Sequence, residues 1–547
     1  MKNLRGFIFW SGILIIIATN VMSSSLSNLD EIWNFNLARC IANGLVPYKD
    51  INMIVTPLLS FIVAPFLKLF GQELFITRAI LILLTFIIFV LIYNIFRKLN
   101  ISKTISKVSV ISILLLQLSY LGLNYNYFIM CLTAIIILLE LSCIRKNSNI
   151  IIKELFIGLL GGLAVCTKQT IGVLICGVII CSPLFFINKK DDIKNVLKHI
   201  GIRIIGMIIP IIAFIIYLMV NNAFHEFIDY AIKGIKTFSN TISYKDLINS
   251  QKIYIKILGI IAPILLIITI VFNIVLKLKK KVDKNLFILT VYTLPIFILV
   301  YPIADEFHFV IAVIPIIILF VYELVKIFRK FIKKTFIEKY IMEFIEIITV
   351  LGTISLALFF VVKYDETLGN LSKYKLVNHF YQINISESVY KSITSVDKYI
   401  SSSQKKVYIL DSTAAIYMIP LDRYNKDYDL FLLGNLGSGA EEKQIDNIKN
   451  EDAKYLILKD EYNRNWQTPE RVRSYIKDNM KYIESVDIFD VYENNPKTEE
   501  QTEETPQNTE NNSVDQSNSE QTNSEEAENI VQNQQEEVVP QSQPTEQ

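Results

Sequence analysis

The sequence predicts a polytopic α-helical membrane protein that carries a small α/β domain and a disordered tail near its C-terminus. Repeated apolar runs of roughly 17–25 residues, the length of a membrane-spanning helix, fill the first two thirds of the chain. Short β-branched runs alternate with helix-like stretches after Val362. Hydrophobic residues make up 52% of the 547 residues, and the mean hydropathy of +0.40 excludes an ordinary soluble protein.

The first apolar run, from about Gly6 to Met22, is predicted to be an uncleaved span. It is longer than the apolar part of a signal peptide, which has about 7–15 residues, and no A-x-A cleavage site follows it. Lys2 and Arg5 place its start in the cytoplasm, because basic residues favour that side. The polar loop Ser23–Pro57 that follows is therefore predicted to be extracytoplasmic.

The next apolar run, Thr56–Phe70, is short for a span at about 15 residues and contains two prolines, which favours a helix in the outer membrane interface. Strongly basic loops then all face the cytoplasm; the exception is the longer loop Asn221–Lys252, which carries several lysines and lies outside. The C-terminus also lies outside. The eleven predicted spans are Gly6–Met22, Leu74–Phe96, Val108–Leu123, Phe128–Ile144, Leu155–Cys166, Gly172–Ile187, His199–Val220, Ile253–Leu276, Leu286–Tyr301, Phe309–Val325 and Ile341–Val362.

Three domains follow from these patterns: a transmembrane domain at residues 1–363 with its first outer loop at 23–73, an extracytoplasmic α/β domain at 364–493, and a tail at 494–547. In the α/β domain, strands at 405–410, 454–458 and 485–492 alternate with helices at 441–450 and 468–479, which predicts a parallel sheet. The tail is acidic and rich in Gln, Glu and Asn, so it buries too little apolar surface to fold.

Ionisable side chains at the predicted outer ends of spans are the candidates for function, because charges near the bilayer are costly. In the predicted topology they all face one leaflet. Each also has a structural interpretation: loop solvation, helix capping, a turn, packing at the interface, or contact with lipid headgroups. The candidates are Asp30, Glu31, Asp50, Arg78, Lys168, Asp305, Glu306 and His308.

Several short motifs resemble the protein O-mannosyltransferase and aminoarabinose-transferase superfamily of polytopic GT-C glycosyltransferases. They are the Asp30-Glu31 pair after the first span, the G-x-x-P-Y-x-D stretch Gly44–Asp50, the T-P-L helix that ends in Leu69-Phe70-Gly71, Arg78, the Thr167-Lys168-Gln169 turn, and the D-x-x-H of Asp305 and His308. The resemblance covers about Met1 to Lys363. One departure is Thr56, where the family has the second proline of a Pro-Pro helix start.

The resemblance implies a GT-C-like fold and transfer of a sugar from a polyprenyl-phosphate carrier to an acceptor outside the cytoplasmic membrane. Asp30 is then the expected general base, and Glu31 an acceptor-orienting residue or alternate base. Lys168, Arg78 and His308 would bind the donor phosphate, and Asp50, Tyr48 and Asp305 would bind substrate.

The expected partners are a polyprenyl-phosphate sugar lipid, an envelope acceptor (a glycan, lipid or protein) and the membrane, with no nucleic acid. No cofactor is expected, because the lipid phosphate is already an activated leaving group. No G-x-x-x-x-G-K-[ST] or G-x-G-x-x-G motif is present. The carboxylates offer ligands to a divalent metal, but we expect transfer to be insensitive to chelators.

Two other functions fit a polytopic chain. A transporter or flippase of lipid-linked precursors would favour charges near the bilayer midplane and an internal repeat, whereas here the charges lie at span ends and no repeat is visible. A structural envelope protein would use the α/β domain to bind a partner, and it would not need Asp30 or Lys168.

Overall fold

A bundle of long apolar helices forms the membrane part of the chain, and a small α/β domain lies against one end of it. The structure is a computed structural model that describes residues 2–26, 29–144, 150–186, 190–237, 241–331, 336–371, 377–463 and 468–494. The helices of the membrane part are α1 (Lys2–Ser23), α2 (Leu29–Ala42), α3 (Leu58–Phe70), α4 (Leu74–Lys98), α5 (Lys103–Gln117), α6 (Tyr125–Ile144), α7 (Ile150–Thr167), α8 (Gln169–Cys181), α9 (Lys190–Val220), α10 (Phe224–Phe227), α11 (Tyr244–Ile248), α12 (Ile253–Leu278), α13 (Lys284–Phe297), α14 (Glu306–Ala312), α15 (Ile314–Phe331) and α16 (Phe336–Leu371).

Nine helical segments of the described residues are long and apolar enough to cross a membrane, which confirms the predicted multi-pass helical fold. The number is smaller than eleven because two predicted spans coincide with shorter helices. These are α5, of 15 residues, and the segment Lys284–Val300. The predicted interfacial helix is α3, of 13 residues. It buries Leu59, Val63 and Leu67 against the protein and exposes Phe66 and Leu69 on its other face.

Glycines bring α7 and α9 into backbone contact. A Cβ added to Gly158 or Gly162 of α7 would overlap the carbonyl group of Arg203 or Met207 in α9, respectively. In the same way, a Cβ added to Gly206 of α9 would overlap the backbone of α7. Small residues are common where membrane helices approach closely, because they leave room for backbone packing. This pair of helices fixes the position of the turn that follows α7.

An ion-pair network joins four helices in the half of the bundle remote from the α/β domain. The Arg203 guanidinium of α9 binds Glu140 of α6 at 2.7 Å and 3.0 Å and also binds Glu154 of α7. The Tyr292 hydroxyl of α13 donates to Glu140 at 2.9 Å. Because these buried charges compensate each other, the network ties the helices together within apolar surroundings.

The α/β domain contains one mixed sheet of four strands, β1 (Lys406–Ile409), β2 (Ala453–Leu458), β3 (Lys481–Val486) and β4 (Phe489–Glu493), in the spatial order β1-β2-β4-β3. Only β1 and β2 pair in parallel, while β4 is antiparallel to both β2 and β3. The prediction of a parallel sheet is therefore wrong beyond the first pair. The helices of the domain are α17 (Glu387–Ser402), α18 (Ala414–Met418), α19 (Ala440–Lys449) and α20 (Glu470–Asn479).

The error in the sheet comes from residues 485–492, which were predicted to be a single strand. The chain reverses at Asp487, whose φ is +52°, and forms the hairpin β3–β4. Aspartate tolerates this left-handed conformation and thus closes a two-residue turn without glycine. The predicted tail lies outside the described residues except for Asn494. Helix α16 continues to Leu371, past the predicted boundary at 363, and the three-domain division stays a prediction.

The α/β domain and its leading segment contact one end of the bundle, which we call the domain end. Asp422 accepts a hydrogen bond from Arg39 of α2 at 3.1 Å. On another side of the domain, Ser438 and Lys443 bind Asp229, which lies in a π-helical turn, Ile228–Lys233, after α10. The domain is thus joined both to α2 and to the loop between α9 and α12.

Replacement of Gly162 by alanine should lower the free energy of unfolding by about 1–3 kcal/mol, because the new methyl group would overlap the α9 backbone. Thermal unfolding of the detergent-solubilised protein measures this effect. Gly177→Ala in α8 is the matched control, since nothing lies within 4 Å of its added Cβ. Equal melting temperatures for the two variants would contradict the assigned packing.

Candidate active site

Four of the candidate side chains meet at the domain end. The charge of the Asp30 carboxylate interacts with those of His308, Asp305 and Lys168. Asp30 lies in the first turn of α2, Lys168 directly precedes α8, and Asp305 and His308 lie at the start of α14. All four side chains thus lie at or beside the N-terminus of a helix, where the helix dipole favours negative charge.

Asp30 is partly buried in the first turn of α2. Burial raises the pKa of its carboxyl group, while the positive charges of His308 and Lys168 lower it. Its backbone carbonyl accepts a hydrogen bond of 2.7 Å from the Asn34 amide. A carboxylate with a raised pKa is a better proton acceptor than an exposed one, as a general base requires.

Lys168 lies in the turn between α7 and α8, as predicted. Its Nζ donates to the Asn126 Oδ1 at 3.1 Å and lies 4.8 Å from the centroid of the Tyr125 ring. Burial lowers the pKa of Lys168 to about 8, although Asp30 and Asp305 act in the opposite direction. The neighbouring Gln169 amide fixes the turn, because it donates to the carbonyls of Ile54 at 2.7 Å and Ala231 at 3.0 Å.

Asp305 and His308 form a hydrogen-bonded pair at the start of α14. The Asp305 Oδ1 accepts from the His308 backbone N–H at 2.7 Å and lies 2.7 Å from His308 Nδ1. Because an ionised carboxylate can only accept hydrogen bonds, the His308 Nδ1 carries a proton in this contact. The other ring nitrogen, Nε2, takes no part in the pair with Asp305. Glu306 belongs to a different cluster: it pairs with Lys252 at 2.9 Å and accepts from the Tyr120 hydroxyl at 2.5 Å.

Glu31 and Arg78 form a buried bidentate ion pair that joins α2 to α4. The Arg78 Nε and Nη2 donate to the two Glu31 carboxylate oxygens at 3.0 Å and 2.9 Å. Arg78 also donates to the carbonyls of Ser24 at 2.7 Å and Ser25 at 3.2 Å, and it is fully buried. Each charge compensates the other, which gives the pair a structural function. The predicted roles of Glu31 as an acceptor-orienting residue or alternate base and of Arg78 in phosphate binding stay predictions.

Tyr48 and Asp50 shape the loop between α2 and α3. The Tyr48 hydroxyl donates to the Val55 carbonyl at 2.8 Å, and Asp50 accepts from the Val46 N–H at 2.8 Å. Neither residue is among the groups whose charges act on Asp30 or Lys168. The turn interpretation of Asp50 matches this geometry, while substrate binding by either residue stays a prediction.

Sequence reasoning missed two uncharged residues of the site. Asn126, in the first turn of α6, is fully buried and accepts the hydrogen bond from Lys168. Trp33, in the second turn of α2, packs edge-on against Tyr125 with 6.2 Å between ring centroids. Neither side chain is ionisable, so neither was among the predicted site residues. The available signal was the polar Asn124-Tyr125-Asn126 stretch at the predicted outer end of a span. Among the residues that the structure describes, no group of three or more His, Cys, Asp or Glu side chains is placed to hold a metal ion.

The chain is similar to known proteins in part of its sequence and in its fold. Residues 55–226 match the family model described as dolichyl-phosphate-mannose-protein mannosyltransferase. The fold is similar to the crystal structure of ArnT from Cupriavidus metallidurans bound to undecaprenyl phosphate, with a TM-score of 0.57, 10% identity, and coverage of 89% of this chain and 97% of that one. The apo ArnT structure from the same organism gives 0.56 and 10%, with 90% and 98% covered. No curated protein sequence matches the chain.

The family match and the shared fold confirm the predicted resemblance to the GT-C superfamily. At 10% identity the ArnT structures show a common fold, and the family model covers the segment from the end of the first loop into α10.

Glu31→Gln should lower the free energy of unfolding by about 3–5 kcal/mol, because the Arg78 charge would be left buried and uncompensated. The measurement is thermal unfolding in detergent. Glu387→Gln is the control, since Glu387 pairs with Lys391 on the exposed face of α17. A Glu31→Gln variant as stable as the wild type would show that the ion pair does not hold α2 in place.

Proposed function

We propose that this chain transfers a sugar from a polyprenyl-phosphate-linked donor to a hydroxyl group of an extracytoplasmic acceptor. The observation that carries the proposal is the convergence of Asp30, Lys168 and the Asp305–His308 pair at the domain end of the bundle. The match to a mannosyltransferase family and the fold shared with ArnT, which was crystallised with undecaprenyl phosphate, support the same conclusion.

In this proposal the domain end faces away from the cytoplasm. Basic residues at the opposite end of the bundle support this orientation, because cytoplasmic ends of spans are rich in lysine and arginine. Helix α4 ends with Arg97 and Lys98, and Lys277 lies in the last turn of α12. The N-terminus is then cytoplasmic, and the α/β domain is extracytoplasmic on the surface of the cytoplasmic membrane.

Asp30 acts as the general base. As the acceptor oxygen forms its bond to the anomeric carbon, Asp30 takes the hydroxyl proton, and the bond from that carbon to the phosphate oxygen breaks. The transition state has oxocarbenium character, as in other glycosyl transfers. The burial that raises the pKa of the carboxyl group suits proton abstraction.

Lys168 offsets the charge of the leaving lipid phosphate. A positive charge held in a largely buried turn stabilises a developing anion more strongly than an exposed one. The N-terminus of α8, which directly follows Lys168, acts in the same direction. Asp305 orients the His308 ring through Nδ1, which leaves Nε2 for contact with the donor phosphate.

The acceptor approaches on the side of Asp30 and is an envelope glycan, lipid or protein. The α/β domain contacts the back of α2 through Arg39 and Asp422, so it is suited to position the acceptor beside that helix. No organic cofactor is required, because the lipid-phosphate bond supplies the activation. We expect transfer to continue in the presence of chelators.

Asp30→Asn should lower the transfer rate by a factor of about 10²–10⁴, the usual contribution of a general base, while the protein stays folded in the membrane. The assay follows transfer from a radiolabelled polyprenyl-phosphate sugar in proteoliposomes. Asp478→Asn, an identical change on the exposed face of α20, is the control. Asp30→Asn with wild-type activity would remove the base from the mechanism.

Binding of a polyprenyl phosphate should weaken as the pH rises through about 8, because the ligand-free Lys168 then loses its proton. The phosphate monoester has a second pKa near 6 and keeps a constant charge in this range. Lys168→Arg should flatten the profile, since arginine stays protonated. The measurement is equilibrium lipid binding in detergent between about pH 7 and pH 9. A profile that falls equally in both proteins would contradict the assignment.

A further inference from the structure

Two buried hydrogen-bond donors beside Lys168 have no partner in the protein. They are the Nδ2 of Asn126 and the Nε1 of Trp33. Asn126 is fully buried, and Trp33 is 5% exposed. An unsatisfied buried donor is costly, and nearly all such groups in folded proteins bind protein, water or a ligand. Neither donor has a structural explanation within the described residues.

The orientation of the Asn126 amide is fixed by its neighbour. Its Oδ1 accepts from the Lys168 ammonium at 3.1 Å. With the amide reversed, its NH₂ group would face another donor-only group, because an ammonium has no acceptor. The Nδ2 must therefore point away from the lysine, with a free N–H beside the cation.

Tyr125 connects this amide to the tryptophan. The Lys168 Nζ lies 4.8 Å from the centroid of the Tyr125 ring, and the Trp33 ring packs against the same tyrosine at 6.2 Å. Trp33 follows Asp30 by three residues in α2, about one helical turn. The two unpaired donors thus border the region that contains the proposed base and the proposed phosphate-binding cation.

We propose that Asn126 and Trp33 bind the head of the lipid-linked donor together with Lys168: the Asn126 Nδ2 donates to a phosphoryl oxygen, and the Trp33 Nε1 donates to an oxygen of the sugar. The inference rests on the proposed function and extends it to two uncharged residues. Phosphoryl and sugar oxygens are acceptors, which is the property that both unpaired groups require. Asn126 accepts from Lys168 through its Oδ1 and donates to the phosphate through its Nδ2. The Lys168 ammonium and the Asn126 N–H therefore both act on the phosphate.

The test measures equilibrium binding of a polyprenyl phosphate and of its sugar-bearing form to purified protein in detergent. Asn126→Asp keeps an acceptor for Lys168, removes the N–H and places a negative charge beside the phosphate. This variant should lower the affinity for both lipids by at least about tenfold. Asn126→Ser removes the amide without adding a charge and should weaken both lipids by about threefold or more, which keeps the test valid if the aspartate variant does not fold.

Trp33→Phe keeps the ring and removes only the N–H donor. It should leave the affinity for the bare polyprenyl phosphate unchanged and weaken the sugar-bearing lipid by about threefold to tenfold. Trp10→Phe is the matched control, because Trp10 packs against Phe86 and Tyr93 in the bundle, and its variant should bind both lipids as the wild type does.

Three results would overturn the inference. They are wild-type lipid affinity in both folded Asn126 variants, equal losses for the two lipids in Trp33→Phe, and displacement of the lipid by inorganic phosphate at equal concentration, which would indicate a site for free phosphate. The proposed function fails separately: it fails if the wild type binds the lipids with this dependence on Asn126 and transfers no sugar. Transfer with unchanged lipid affinity in the Asn126 variants would overturn the inference alone.

Discussion

The ion pair between Glu31 and Arg78 is the interaction on which the site depends, because it fixes the start of α2 against α4. Asp30 is the residue next to Glu31, so the orientation of its carboxylate follows from the pair. The other end of α2 is held by the α/β domain, where Asp422 binds Arg39 and Asp429 accepts from Asn36 at 3.3 Å. Helix α2 is thereby anchored at both ends by polar contacts, and the charge of its Asp30 interacts with that of Lys168.

The charged part of the site was predictable from the sequence, and the uncharged part was not. Asp30 and Lys168 stand out because they are charged residues at the predicted outer ends of apolar runs, away from the basic residues that mark the cytoplasmic ends. Asn126 and Trp33 do not stand out, because an amide or an indole beside an apolar run is common. The pairing of Arg78 with Glu31 was also not readable from the sequence, because the two residues are far apart in the chain and only the approach of α2 to α4 brings them together.

The membrane helices were predicted correctly where a long apolar run marks them. The prediction failed where one sequence pattern fits two structures, as at the short helices and at the β3–β4 hairpin. Two of the predicted spans are short helices in the structure, since hydropathy marks an apolar run but not the residue where its helix stops. In the α/β domain, a hairpin and one long strand have the same alternating pattern. Without glycine at the turn, Asp487 gave no sign that the chain reverses there.

The π-helical turn Ile228–Lys233 contacts both the α/β domain and the membrane site. Its Asp229 binds Ser438 and Lys443 of the domain, and its Ala231 carbonyl accepts from Gln169, the neighbour of Lys168. The domain also contacts α2, the helix that carries Asp30, through the hydrogen bond from Arg39 to Asp422. The proposed base and the proposed cation are therefore linked to the same domain by separate routes, Asp30 through α2 and Lys168 through Gln169 and the π-helical turn. A displacement of the domain relative to the bundle would change the distance between the two residues without any direct contact to either.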